Sequence, residues 1–169
     1  NPEYGVCGTN AWIIDENGVL AENTGFWEKT VWYNGFGPSE DLYFEVDLKA
    51  PGLTHEDPYP KAGLVLRNDD VMVFAYFDLF NPATGDVRIV YRPTGVSTTG
   101  YTVCADWVWG NQAPVYTSGK NINKDYVNVA VAKLNDRVYM YIDGKPVTSM
   151  KVPGLAADDK MVAGVMGFN

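Results

Sequence analysis

The residues of this chain best suited to chemistry are arginines, amides and aromatic rings. Arg67, Asn68 and Asp69 stand where an apolar stretch gives way to a polar turn. Such a group can fix the hydroxyls of a polar ligand through charged and amide hydrogen bonds. Trp107 and Trp109 stand two residues apart, so in a strand they point to one face. Tyr91, Tyr139 and Tyr141 add further rings. Sugars have apolar C–H faces that pack on such rings, and hydroxyls that need polar partners. The candidate ligand-binding set is therefore Arg67, Asn68, Asp69, Tyr91, Trp107, Trp109, Tyr139 and Tyr141, with Arg88, Arg92 and Asp106 as further polar contacts. Val103 and Ala105 share the face of the two tryptophans. That face is either an exposed platform or a packed interior.

Groups for covalent or acid–base chemistry are scarce. The one histidine, His55, lies in a proline-rich stretch. A serine nucleophile needs a general base beside it, so a Ser-His-Asp arrangement is not expected. Metal sites built from Cys and His clusters are excluded on the same count.

These residues must be positioned by strands. In Lys61–Asp78, Leu64 and Leu66 face one way and Val65 and Arg67 the other. Asn68-Asp69-Asp70 turn the chain, and Val71, Val73, Ala75 and Phe77 then alternate with Met72, Phe74, Tyr76 and Asp78. Period-two alternation predicts an antiparallel hairpin. Leu42, Phe44, Val46 and Leu48 alternate with Tyr43, Glu45 and Asp47 in a half-buried strand. Asn17-Gly18 and Asn34-Gly35 are hairpin-turn signals, because both residue types accept positive φ. Residues 50–60 hold three prolines and predict a loop. Val87, Ile89 and Tyr91 alternate with Arg88, Val90 and Arg92, followed by a Gly/Thr/Ser-rich loop over 93–100. Tyr126–Leu134 and Arg137–Ile142 are strands joined at Asn135-Asp136, and Asp143-Gly144 makes the next tight turn. Leu155–Lys160 has room for one helical turn, and Met161–Phe168 closes the chain as a strand. The pattern predicts an all-β antiparallel sandwich or barrel, in one domain over 1–169, with no internal repeat.

Composition narrows the partners. The net charge is −8, from 21 acidic and 13 basic residues. That argues against nucleic acid and against anionic membrane surfaces, which need basic patches. It also favours a neutral polysaccharide over a polyanion. Apolar residues make up 46% of the chain, without a run long enough to span a bilayer. Cys7 and Cys104 permit one disulfide or two buried thiols. The chain begins at Asn1, which fits a mature chain or an excised module.

The order of pieces carries a resemblance. YFEVDLK is followed by AGLVLRNDD, VRIVYR, VNVAVA, RVYMYIDGKPV and a closing AGVMGFN. This resembles the concanavalin A-like jelly-roll superfamily over 41–169, and within it the laminin-G-type and levanase-associated carbohydrate-binding modules. The resemblance implies a two-sheet antiparallel β-sandwich. It further implies glycan binding outside the cell or at its surface, beside other modules of a larger secreted bacterial enzyme or surface protein. Such modules commonly add one more strand after the Gly-Phe-Asn stretch. Here either the sequence stops before that strand or the N-terminal segment supplies it. Structural calcium is common in the superfamily. The resemblance puts Asp69, Asp70 and Asp78 forward as ligands, with Asp15, Glu16 and Asn68 as further oxygen donors. The fold also hosts hydrolases whose carboxyl pair comes from a Glu-x-Asp-x-x-Glu strand. Glu45-Val-Asp47 begins that pattern, but Ala50 stands where the second glutamate belongs. A retaining glycosidase needs two carboxyl groups about 5 Å apart. The expectation is thus a non-catalytic carbohydrate-binding module. A protein-binding adhesin and a small glycoside hydrolase are the alternatives.

Overall fold

The computed structural model describes residues 4–7, 12–15, 18–21, 29–33, 37–51, 60–96, 102–104 and 113–168, with backbone alone for 4–7, 12–15, 18–21, 29–31, 93–96, 102–104 and 168. Among the described residues there are strands and turns but no helix. The strands are β1 (Tyr4–Cys7), β2 (Trp12–Asp15), β3 (Gly18–Ala21), β4 (Lys29–Tyr33), β5 (Leu42–Leu48), β6 (Lys61–Arg67) and β7 (Val71–Asp78). There follow β8 (Asp86–Val96), β9 (Thr102–Cys104), β10 (Tyr116–Thr117), β11 (Val127–Leu134), β12 (Arg137–Ile142), β13 (Lys145–Lys151) and β14 (Val162–Phe168). They form two antiparallel sheets and a separate β2–β3 hairpin. The large sheet runs β1-β4-β14-β6-β7-β8-β10, with β9 paired to β8, and the small sheet runs β13-β12-β11-β5.

The core lies between the sheets and follows the alternation in the sequence. Leu64, Leu66, Val73, Ala75, Phe77, Val87 and Ile89 come from the large sheet; Leu42, Val129, Val131, Val138, Met140 and Ile142 come from the small one. Each such side chain contributes roughly 1.5–3 kcal/mol by leaving water. On β5 the partners Tyr43, Glu45 and Asp47 remain exposed, as the pattern requires.

The turns use the residues that suit them. Asn68 closes β6–β7: its Oδ1 accepts from the N–H groups of Asp70 (2.9 Å) and Val71 (2.8 Å). Asp143 and Gly144 both hold positive φ, 50° and 73°, which a two-residue hairpin turn of this twist demands. The β2–β3 hairpin forms, but Asp15 pairs with Gly18. Gly18 of the Asn-Gly signal is thus already within β3, and residues 16–17 lie outside the described residues. Asn34-Gly35 also lies outside them.

Two expectations change. The loop expected over 93–100 begins as strand, because β8 continues to Val96 and pairs with β9. No helical turn forms over 155–160; the segment is tied down by a lysine instead. Lys133 is fully buried, and its Nζ donates to the carbonyls of Glu40 and Ala157, both at 2.8 Å. The far side of β14 is filled by β4, which pairs with β1. The N-terminal segment thus supplies the strands that flank the closing one. Cys7 and Cys104 lie on β1 and β9, and their side chains are outside the described set.

At Gly63 the β7 backbone comes close. A Cβ there would stand 2.2 Å from the Ala75 carbonyl oxygen and 2.5 Å from Tyr76 Cα. Neither is the movable end of a side chain. Gly63→Ala is expected to cost about 3 kcal/mol and to lower the thermal midpoint by roughly 6–12 °C. A wild-type midpoint in a calorimetric scan would contradict this close approach.

Candidate ligand site

β6 and β7 are buried on both faces. From Lys61 to Leu66 and from Val71 to Phe77 every residue is buried. One face meets the small sheet. The other carries a second apolar cluster of Trp32, Val65, Met72, Phe74, Tyr76, Val90 and Met166. The ladders set its rows: Arg67, Met72 and Arg92; Val65, Phe74 and Val90; Gly63, Tyr76 and Arg88; Lys61, Asp78 and Asp86.

Cations in this face rest on rings. The Arg92 guanidinium lies 4.6 Å from the Phe74 centroid, Arg67 lies 5.6 Å from that of Trp32, and Lys61 Nζ lies 5.7 Å from that of Tyr76. Arg92 and Lys61 are only 6% and 5% exposed. An aromatic face attracts a desolvated cation by roughly 0.5–2 kcal/mol, which offsets part of the cost of burial. Trp32 can reach Arg67 because Gly164 sits between β4 and β6, paired with both Trp32 and Val65, and carries no side chain.

At the turn end of this face lies a cavity of about 420 Å³, lined by Trp32, Pro38, Arg67, Asn68, Asp69, Lys160 and Val162. Paired hydrogen bonds between Ser39 and Met161, each 3.0 Å, hold the Pro38 and Lys160 segments together. Trp32 is 7% exposed, and its indole Nε1 is buried without a hydrogen-bond partner among the described residues. At the opposite end Arg88 Nε donates to Asp78 Oδ2 at 3.1 Å, and Thr117 Oγ1 donates to Asp86 at 2.6 Å.

The candidate residues divide accordingly. Arg67, Asn68 and Asp69 meet in the cavity. Tyr91 does not join them: it is 8% exposed and belongs to the core between the sheets, opposite Arg67, so its ring is a packing residue. Tyr139 and Tyr141 lie on the outer face of the small sheet, on the other side of the sandwich. There Tyr141 meets Tyr43 edge-on at 5.6 Å. Trp107, Trp109 and Asp106 lie outside the described residues, as do Asp15 (side chain) and Glu16. The proposed calcium set does not fit one ion. Asp69 and Asp70 precede β7 and Asp78 ends it, so eight extended residues, roughly 25 Å, separate them. Asp78 is moreover engaged by Arg88. Among the described residues no three metal-ligating side chains come together.

Sequence reasoning missed Trp32, Pro38, Lys160 and Val162. In the sequence Lys160 reads only as the end of a segment with room for one helical turn, and Trp32 has no reading of its own. Their meeting with Arg67 depends on β14 lying between β4 and β6, which no local spacing encodes.

Burial raises the pKa of the Tyr76 phenol above its ordinary 10.0, the Asp78 carboxylate adding to the rise and Arg88 opposing it. The folded state therefore holds this proton more tightly than the unfolded chain. The stability it contributes is intact below about pH 10 and is lost as pH rises beyond that. Tyr76→Phe should flatten the loss of stability between about pH 9 and about pH 11 in urea unfolding. Parallel losses in both proteins would refute this.

No protein-family model matches the chain, and no curated protein sequence matches it. Solved structures do. The carbohydrate-binding module CBM66 from Bacillus subtilis superposes with a TM-score of 0.59 at 13% identity, over 99% of this chain and 92% of that one. Crh5 transglycosylase in complex with NAG gives 0.63 at 15% identity, over 99% of this chain and 64% of that one. The kappa-carrageenase of Pseudoalteromonas carrageenovora, in complex with a kappa-carrageenan oligotetrasaccharide, gives 0.54 at 11% identity, over 98% and 66%. The chain thus spans about two thirds of the length of these two enzymes and nearly all of the module. At such identities the likeness concerns the fold alone: an all-β jelly roll of two antiparallel sheets.

Proposed function

We propose that this chain is a non-catalytic carbohydrate-binding module that holds its glycan in the cavity between Trp32 and Arg67. It would act as one unit of a larger secreted or surface protein, akin to the laminin-G-type and levanase-associated modules. The observation that carries the reading is the cavity itself: a buried indole, a guanidinium 5.6 Å from its ring centroid, and Asn68, Asp69 and Lys160 around the opening. Aromatic faces suit the C–H surface of a sugar, and the polar groups suit its oxygens. The fold is shared with a carbohydrate-binding module over nearly its whole length. The net charge of −8 favours a ligand whose main chain is neutral.

Two arrangements of acids weigh against hydrolysis. Among the described lining residues Asp69 is the single carboxylate, and a retaining or inverting mechanism needs two. Glu45 and Asp47 lie on the outer face of the small sheet, away from the cavity, and Asp47 accepts a hydrogen bond from Asn128 Nδ2 at 3.2 Å. Asp78 and Asp86 are register partners on the cavity-bearing face, but Asp78 is paired with Arg88 and Asp86 takes the Thr117 hydroxyl.

Affinity electrophoresis against a panel of polysaccharides tests the reading. Wild-type protein should be retarded by at least one, and Arg67→Ala should lose about tenfold or more in affinity while keeping its thermal midpoint. Absence of retardation across the panel would refute it. No reducing sugar should be released; release that disappears in Glu45→Gln would establish the hydrolase instead.

A further inference from the structure

We infer that Lys133 is a positioning residue for the cavity: its buried ammonium holds the two segments that carry Pro38 and Lys160, and glycan affinity depends on it although it lines no part of the opening. The inference rests on the glycan reading above and adds what keeps that site in shape. Lys133 lies on β11, opposite Leu42 of β5 and Val138 of β12. By alternation it shares the inward face with Val127, Val129 and Val131, and like them it is buried. Its stem therefore continues the core, and its charge sits at one end of the space between the sheets. Two stretches of chain pass from one sheet to the other at that end. One leads from β4 to β5 and contains 38–40; the other leads from β13 to β14 and contains 157–161. Lys133 Nζ donates to a carbonyl in each, those of Glu40 and Ala157. The same two stretches exchange the paired Ser39–Met161 hydrogen bonds. Next to Ser39 in the chain stands Pro38, and next to Met161 stands Lys160, both of them lining residues.

The energetics favour a geometric role over a merely stabilising one. The described partners of Lys133 are carbonyls, not carboxylates. A charge buried in this way is costly, and an apolar side chain of similar volume often serves stability as well or better. What an apolar side chain cannot do is hold two carbonyls to one point. Glu40 and Ala157 are themselves exposed residues. Without the ammonium their carbonyls can turn to water, which moves both stretches outwards and leaves the core folded. The Ser39–Met161 pair and the lining residues beside it move with them. Asn68 stays in place, because its own side chain closes the β6–β7 turn. Lys133 thus sets the distance between two walls of the cavity. A site whose walls are placed before the ligand arrives binds without the cost of ordering them.

The test compares wild type, Lys133→Met and Asp159→Ala by affinity electrophoresis and by amide hydrogen exchange, at a temperature well below every thermal midpoint. Methionine keeps an unbranched apolar stem and removes the donors. Lys133→Met should lose about tenfold in affinity for a polysaccharide that retards the wild type. Its Ser39 and Met161 amides should exchange about tenfold faster, while those of the β11–β12 ladder keep their rates. A residue that served stability alone would change the midpoint and leave the affinity of the folded protein unmoved. Asp159 Oδ2 accepts from the Ala156 N–H at 2.7 Å and closes the turn that contains Ala157. Asp159→Ala should repeat both effects in weaker form, and it decides the matter where Lys133→Met does not fold. Wild-type affinity in Lys133→Met, or in Asp159→Ala where the former does not fold, would overturn the inference and leave glycan binding standing. Unchanged exchange at Ser39 and Met161 would do the same. Failure of every polysaccharide to retard the wild type would overturn the glycan reading and this inference with it.

Discussion

The structure depends on the β6–β7 ladder, two strands buried on both of their faces. Strands at the centre of a two-layer sandwich ordinarily bury one face and wet the other, which gives simple alternation. Here Leu64, Leu66, Val73 and Phe77 fill the space between the sheets, while Val65, Phe74 and Tyr76 are equally buried on the reverse side. A ladder without a wet face cannot shift its register by one residue without exchanging two complete sets of packed side chains. Gly63 removes the remaining freedom, since the β7 backbone occupies the place of a side chain. The pairing of these two strands therefore fixes where every residue of the turn between them can be. Arg67, Asn68 and Asp69 inherit that rigidity.

The reverse face also explains why charged residues are found inside it. Lys61 and Arg92 sit among apolar neighbours, which would be costly for isolated charges. Each lies against a ring, and the rings are the same ones that give the second cluster its bulk. Arg67 repeats the device at the rim with Trp32, where one side opens to the cavity. The cavity is thus continuous with the packing beneath it: of these cation–ring pairs, Arg67 on Trp32 is the one whose two members line the cavity. Lys133 solves the same problem differently on the small sheet, where two backbone carbonyls satisfy its ammonium and anchor the segment leading to Lys160.

Most of the strand framework could be read from period-two alternation and from turn residues. Leu42–Leu48 and Arg137–Ile142 follow it in their burial as half-buried strands must, and Asn135, Asp143 and Gly144 take the positive φ of their turns. The site was legible only in its local part. Arg67, Asn68 and Asp69 are consecutive, so one turn brings them together. Trp32 joins them from β4 and Lys160 from the segment that leads into β14, through a strand order that periodicity does not specify. Tyr91 was misplaced for a related reason. On a strand buried on both faces, an aromatic residue gives no sign of which side holds the ligand. Asp69, Asp70 and Asp78 were grouped on the family resemblance, and the length of β7 separates them.

The charge of the whole chain and the charge of the cavity lead to different expectations, and the difference is one of distance. Net charge acts through the long-range field, which governs encounter and is damped by salt. Selectivity is decided at contact, by which donors and acceptors are left for a ligand after the fold has used its own. In this chain the fold consumes the Asn68 side-chain carbonyl to close the turn, and sets Arg67 over the Trp32 ring at the rim of the reverse face. Arg67, Asp69 and Lys160 are the charged side chains among the described lining residues. Other acids that contribute to the overall charge are paired or placed away from the cavity: Asp78 with Arg88, Asp136 with Lys151, Glu45 and Asp47 on the opposite face.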